Sequence, residues 1–109
     1  MISHVLTMLL LAGFQSGDPN QARRGYSKCL NELVQSELKE KVEPAAFAAK
    51  LSAACKAQED NFRKLMVAAD LKRGIKRAAA EEGVGSEVTD FHQMAKEEYQ
   101  IMYETENPK

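Results

Sequence analysis

Apolar residues recur along this chain with the spacing of helices rather than strands. From Pro19 onward, Ala22, Tyr26, Cys29, Leu30 and Leu33 fall on one face, as an amphipathic helix requires. Asp18 stands before Pro19, and Gln21 follows two positions later. That order supplies an N-cap, a first-turn proline and a box-like cap. The pattern stops near Lys41, ahead of Glu43-Pro44. A residue preceding proline is biased away from helical angles, whereas proline itself suits the first position of a helix. A second stripe then carries Phe47, Leu51, Ala54, Cys55, Gln58, Phe62, Leu65, Met66 and Ala69. Further along, Val67, Ala68, Leu71, Ile75, Ala78 and Ala79 point roughly 100° or more away from that line. A single long second helix, passing Gly74 and ending near Glu82, is therefore expected to touch two partners. Gly83-Val84-Gly85-Ser86 reads as a loop, with Ser86 or Thr89 capping a third helix. Val88, Phe91, Ala95, Tyr99 and Met102 share the face of that helix, and residues 105–109 read as a frayed tail.

The short link between the first two helices implies antiparallel neighbours. In such a hairpin, residues equally far from the turn stand at the same height. Cys29 and Cys55 are each 13 residues from Val42. The same reflection sets Leu33 against Leu51, Leu30 against Ala54 and Ala22 against Phe62. Apolar positions meet apolar ones, and a Cys29–Cys55 disulfide follows. Its loop would stabilise the fold by about 3.5 kcal/mol in the chain-entropy picture. The competing readings are two reduced core thiols, or a metal site needing further ligands such as His92. The expected fold is all-α: an antiparallel helical hairpin stapled by Cys29–Cys55, with a third C-terminal helix packed on the distal half of the second.

A structural disulfide belongs to an oxidising compartment, which gives weight to the start of the chain. Val5–Phe14 is an apolar run of ten residues, too short for a spanning helix of roughly 20 residues. It fits the apolar core of an export signal, although neither Lys nor Arg precedes it. A core helix or a retained membrane anchor are the alternatives. Leu10-Leu11-Ala12-Gly13 resembles a bacterial lipoprotein box, but Phe14 stands where that box needs Cys. A phenyl ring has no thiol to acylate, so lipidation at that position is excluded. Residues 1–17 are read as a leader and residues 18–104 as one helical domain, periplasmic or secreted.

Composition adds little pull of its own, because the net charge is −1. The distribution is more telling. Residues 61–77 hold Arg63, Lys64, Lys72, Arg73, Lys76 and Arg77 against Asp70 alone, a net of +5; residues 78–109 hold eight acids against Lys96 and Lys109, a net of −6. Lys72, Arg73, Lys76 and Arg77 are spaced to form an anion-binding patch. The preferred expectation is that the acidic third helix folds back and largely neutralises them.

No catalytic or cofactor signature stands out. There is no P-loop, no G-x-S-x-G and no H-E-x-x-H, and His92 beside Asp90 reads as a surface or boundary residue. No catalytic residue, metal ligand or cofactor is assigned. The expected role is non-enzymatic: a small exported protein that binds another protein or assembles with itself. A cytosolic anion- or nucleic-acid-binding module using Arg63–Arg77 is the alternative, and a periplasmic helical chaperone or stress sensor a further one. Membrane contact is expected only through an uncleaved N-terminal segment.

Overall fold

A computed structural model describes residues 17–108. The leader expected at the start of the chain lies outside these residues, apart from Gly17. Four helices follow in order: α1 (Pro19–Lys39), α2 (Pro44–Ala54), α3 (Lys56–Lys72) and α4 (Arg77–Glu106). No strand occurs among the described residues. The all-α expectation holds, and so does the antiparallel return of the chain after α1.

Helix α1 begins as its sequence dictates. Asp18 is the N-cap, its Oδ1 accepting the Asn20 N–H at 2.9 Å, and Pro19 occupies the first turn. Its buried residues are Ala22, Tyr26, Leu30, Val34 and Leu38. This strict i, i+4 row drifts about 40° per step around a helix, so α1 shows successive partners a rotating face. Cys29 and Leu33 flank the row, half-buried. The helix ends in a Schellman turn, with Lys41 N–H donating to Leu38 O and Val42 N–H to Glu37 O. Lys41 adopts φ +56° there, a left-handed conformation that costs a residue with a Cβ about 1 kcal/mol.

Two boundaries differ from expectation. The long second helix is two helices, broken at Cys55 with φ −116° and ψ 36°. No Pro or Gly marks the break. Helix α2 packs mainly on α4, whereas α3 packs on both α1 and α4, so the two segments follow different partners. The break also shifts the helical phase. Beyond Cys55 the buried face passes through Glu59, Phe62 and Val67, leaving Ala54 and Gln58 exposed. The expected pairing of Leu30 with Ala54 therefore does not form. Nearer the N-terminus of α1, Phe62 meets the Arg23 guanidinium 5.3 Å above its ring and the Tyr26 ring 6.1 Å away.

The second difference lies at Gly74. Helix α3 stops at Lys72, and Gly74 takes φ +87° in another Schellman turn, with Gly74 N–H donating to Leu71 O and Ile75 N–H to Asp70 O. Ile75, Ala78 and Ala79 are consequently exposed, as is Ala68 on α3, and of the second apolar face expected of a continuous helix only Val67 and Leu71 pack into the core. The core resumes at Ala80, Val84 and Val88 on α4. That row draws Gly83-Val84-Gly85-Ser86 into the helix, because burying two valines outweighs the unfavourable helix propensity of the glycines. Thr89 is not a cap; its hydroxyl donates to Gly85 O at 3.1 Å from mid-helix. Helix α4, about 45 Å long, runs past the expected tail boundary to Glu106 and borders all three other helices rather than one distal half.

Candidate functional site

Cys29 and Cys55 form the expected disulfide, with their Cα atoms 6.0 Å apart. Cys55 is buried at the α2–α3 break and Cys29 is half-buried on α1. The staple joins the middle of the first helix to the point where the returning chain changes direction. No free cysteine remains among the described residues, and no three His, Cys, Asp or Glu side chains gather there as metal ligands.

Chemically, the richest cluster is one that sequence reading did not assemble. Glu59 on α3 is only 5% exposed. Its carboxylate accepts the Arg63 Nε–H at 2.8 Å, lies 3.6 Å from Lys56 Nζ and 3.8 Å from His92 Nε2. Tyr26 on α1 is fully buried, its hydroxyl 2.9 Å from His92 Nε2. Helices α1, α3 and α4 thus each contribute a polar side chain to one layer of the core. Phe62 and Phe91 wall it, with ring centres 6.1 and 5.1 Å from that of Tyr26. Among the described residues every buried side-chain polar atom has a partner.

Burial sets the chemistry of this layer. It pushes Tyr26 up to about 12, with the Glu59 carboxylate adding to the effect. Burial likewise pulls His92 below its ordinary 6.5, against the opposing influence of Glu59. At neutral pH the imidazole is therefore uncharged, and the Tyr26 hydroxyl can donate to Nε2. A tyrosine held protonated is a poorer nucleophile than a free one. The arrangement suits a satisfied buried network that responds to protons better than it suits group transfer. His92 is half-buried, as a boundary residue should be. Glu59 was legible in principle as a carboxylate four residues after Cys55 and three before Phe62, on the apolar stripe. The phase shift at Cys55 concealed it.

The basic residues occupy a different place. Lys72 and Arg73 close α3, while Lys76 and Arg77 open α4 across the Gly74 turn, and all four are exposed. Arg73 is held by Asp70. Lys72, Lys76 and Arg77 have no carboxylate within 4 Å among the described residues, so the expected neutralisation by the acidic helix does not occur there. Among the described residues, the one ion pair from an α4 acid to another helix is Arg23–Glu87 at 3.2 Å. Arg63, assigned by charge counting to the same patch, is instead committed to Glu59. Lys72 and Arg73 also line a groove of about 440 Å³ with Pro19, Arg23 and Asp70 between α1 and α3; Lys76 and Arg77 do not. The patch lies on the α3–α4 turn, with a groove on one flank.

Among the described residues, three large hydrophobic side chains are exposed: Ile75 at 37%, Met94 at 66% and Ile101 at 64%. Met94 and Ile101 are seven residues apart on α4, on one outer face. No described helix is long and apolar enough to cross a membrane. Comparison with protein-family models, curated proteins and solved structures finds no match for this chain.

Proposed function

We propose that this chain is a small protein-interaction module that works outside the reducing cytosol, in the periplasm or after secretion, and carries out no chemistry of its own. The observation that carries this reading is the outer face of α4. Met94 and Ile101 each expose nearly two-thirds of their surface on a helix face they share with Asp90, Glu97, Glu98 and Glu104. Two large apolar side chains one heptad apart on a rigid helix present an anchor row, and apolar anchors ringed by charge are a recurrent design of protein interfaces. The acids around them call for a partner surface that is apolar and basic. The disulfide supports the compartment, because such bonds persist where thiols are oxidised. The expected leader at residues 1–17 supports the same destination.

A photo-reactive amino acid placed at Met94, in the living cell, tests this reading. The expected result is a covalent adduct to a protein, absent when the same group replaces Gln35 on the exposed face of α1. Irradiation that yields no protein adduct at Met94 would overturn it.

A second reading draws on the exposed cations of the Lys72–Arg77 turn: an anion- or nucleic-acid-binding module. It requires binding that falls steeply with salt, and a Lys72→Glu/Arg73→Glu variant that binds nucleic acid as well as the native chain removes it.

A further inference from the structure

The three exposed large hydrophobics are divided between two surfaces of opposite charge. Ile75 projects from the Gly74 turn, among Lys72, Arg73, Lys76 and Arg77. Met94 and Ile101 lie among Asp90, Glu97, Glu98 and Glu104. Apart from Arg73, which Asp70 holds, neither set of charges is paired among the described residues. Lys72, Lys76 and Arg77 have no acid within 4 Å among the described residues, and none of these four acids has a cation so close. Glu97 and Glu104 accept hydrogen bonds only from the neutral amides of Gln93 and Gln100. Lys96, the one cation within this stretch of α4, projects from the other flank of the helix, about 150° from the Met94–Ile101 row.

We propose that the occupant of the α4 ridge is the basic tip of a second copy of this chain. This rests on the interaction reading above and names its partner. Charge complementarity carries the choice: each surface has what the other lacks, an apolar anchor with uncompensated charge of the opposite sign. The tip is the turn between α3 and α4, closed by Gly74 at φ +87°. The amino end of α4 adds to the attraction. Its N-cap, Lys76, provides no side-chain hydrogen bond and no acid lies in its first turn, so its free N–H groups add positive potential to the tip.

Tip and ridge are different surfaces, so the contact is heterologous. Each bound copy leaves one tip and one ridge free. Those free surfaces either pair reciprocally, closing a two-fold dimer, or take up further copies into rings or open chains. Complementary charge also makes it salt-sensitive, because exposed charges are screened within about 10 Å at 0.1 M salt.

Sedimentation velocity on the oxidised chain over a concentration series decides the matter. The expected result is a mean mass rising above that of the monomer as concentration increases, with association weakened about tenfold by raising the salt from roughly 0.05 to 0.5 M. Two charge-reversed variants sharpen it: Lys72→Glu/Lys76→Glu/Arg77→Glu at the tip, and Asp90→Lys/Glu97→Lys/Glu98→Lys on the ridge. Each is expected to be monomeric alone. Mixed in equal amounts they are expected to assemble, since each reversed surface then meets its complement on the other variant. The native chain is its own control for folding, because its salt response needs no substitution. A native chain that stays monomeric at every concentration overturns the proposal. So does a mixture that fails to assemble although both variants keep their helical circular dichroism, or a monomer whose tip is taken up by anionic phospholipid vesicles. A monomer that still gives a Met94 adduct to a different protein overturns self-assembly alone. A monomer with no adduct removes both readings.

Discussion

Tyr26 and Tyr99 are equally buried, each with no exposed surface, yet they organise the two ends of the bundle differently. Tyr99 stacks on Phe47 with ring centres 4.0 Å apart and planes within 5°. Its hydroxyl donates to the backbone carbonyl of Val42, in the turn after α1. Burial raises its pKa, and its partner has no proton to exchange. Tyr26 meets Phe62 and Phe91 at wider spacing and gives its hydroxyl to His92 beside Glu59 and Arg63. One end is locked by a fixed acceptor, while the other is held by groups whose charge depends on pH. The same residue type performs both tasks, so the partner decides the role. Between the two ends lies the Cys29–Cys55 staple.

Removing the staple should have the largest effect. Cys29→Ala/Cys55→Ala is expected to cost about 3.5 kcal/mol in urea unfolding, with little change over the neutral range of pH. If the loss is confined to one tyrosine layer by hydrogen exchange, the staple does not serve both ends. Next is Tyr99→Phe, expected to cost about 1–2 kcal/mol because the Val42 carbonyl loses its donor. That loss should be the same at pH 5 and pH 8. A strongly pH-dependent loss would contradict the contrast between the layers.

Gains of about 1 kcal/mol are expected at both ends. Gly83→Ala should raise stability near the Tyr26 layer by about that much, since a Cβ there meets nothing within 4 Å. Were residues 83–86 a loop, the helical gain would vanish. Lys41→Gly should add about 0.5–1 kcal/mol at the Tyr99 end by relieving the left-handed residue after α1. Thermal unfolding of the two single variants and their combination measures both, and distant sites should add.

The smallest expected change is a slope rather than a step. His92 is held below its ordinary 6.5 by burial, so the folded state binds its proton less readily than the unfolded chain. The corresponding stability is fully present above about 6.5 and is lost as pH falls through that value toward the folded pKa. Tyr26 has the opposite sense. Held up at about 12, it contributes stability that is complete below pH 10 and lost as pH rises from there. His92→Gln should flatten the acid limb and Tyr26→Phe reduce the alkaline one. An acid limb unchanged by His92→Gln would show that other groups govern it.

The sequence made the helical character, the start of α1 and the cysteine pairing legible, because each has a local cause. A capping Asp before Pro19 and equal distances from Val42 need no knowledge of the rest of the molecule. What escaped depends on distant partners. The break at Cys55 has no Pro or Gly to announce it, and it moved the buried face from Gln58 to Glu59. Gly83 and Gly85 looked like loop residues because propensity was read without the Ala80–Val84–Val88 row that buries their helix. Gly74, a familiar stop signal, was overruled by the helix formers after it, although only glycine takes φ +87° cheaply. Lys72, Arg73, Lys76 and Arg77 flank the Gly74 turn, but the neutralising contact expected from α4 is not formed among the described residues. Their tip extends away from the acidic part of α4.

The Cys29–Cys55 disulfide underlies both the fold and the proposed compartment. Intact-mass analysis of the protein isolated from its own cells, with free thiols trapped by an alkylating agent at lysis, tests this most directly. The predicted result is an unlabelled chain, lighter than the reduced form by its two thiol hydrogens. A chain carrying a label on both Cys29 and Cys55 would contradict it.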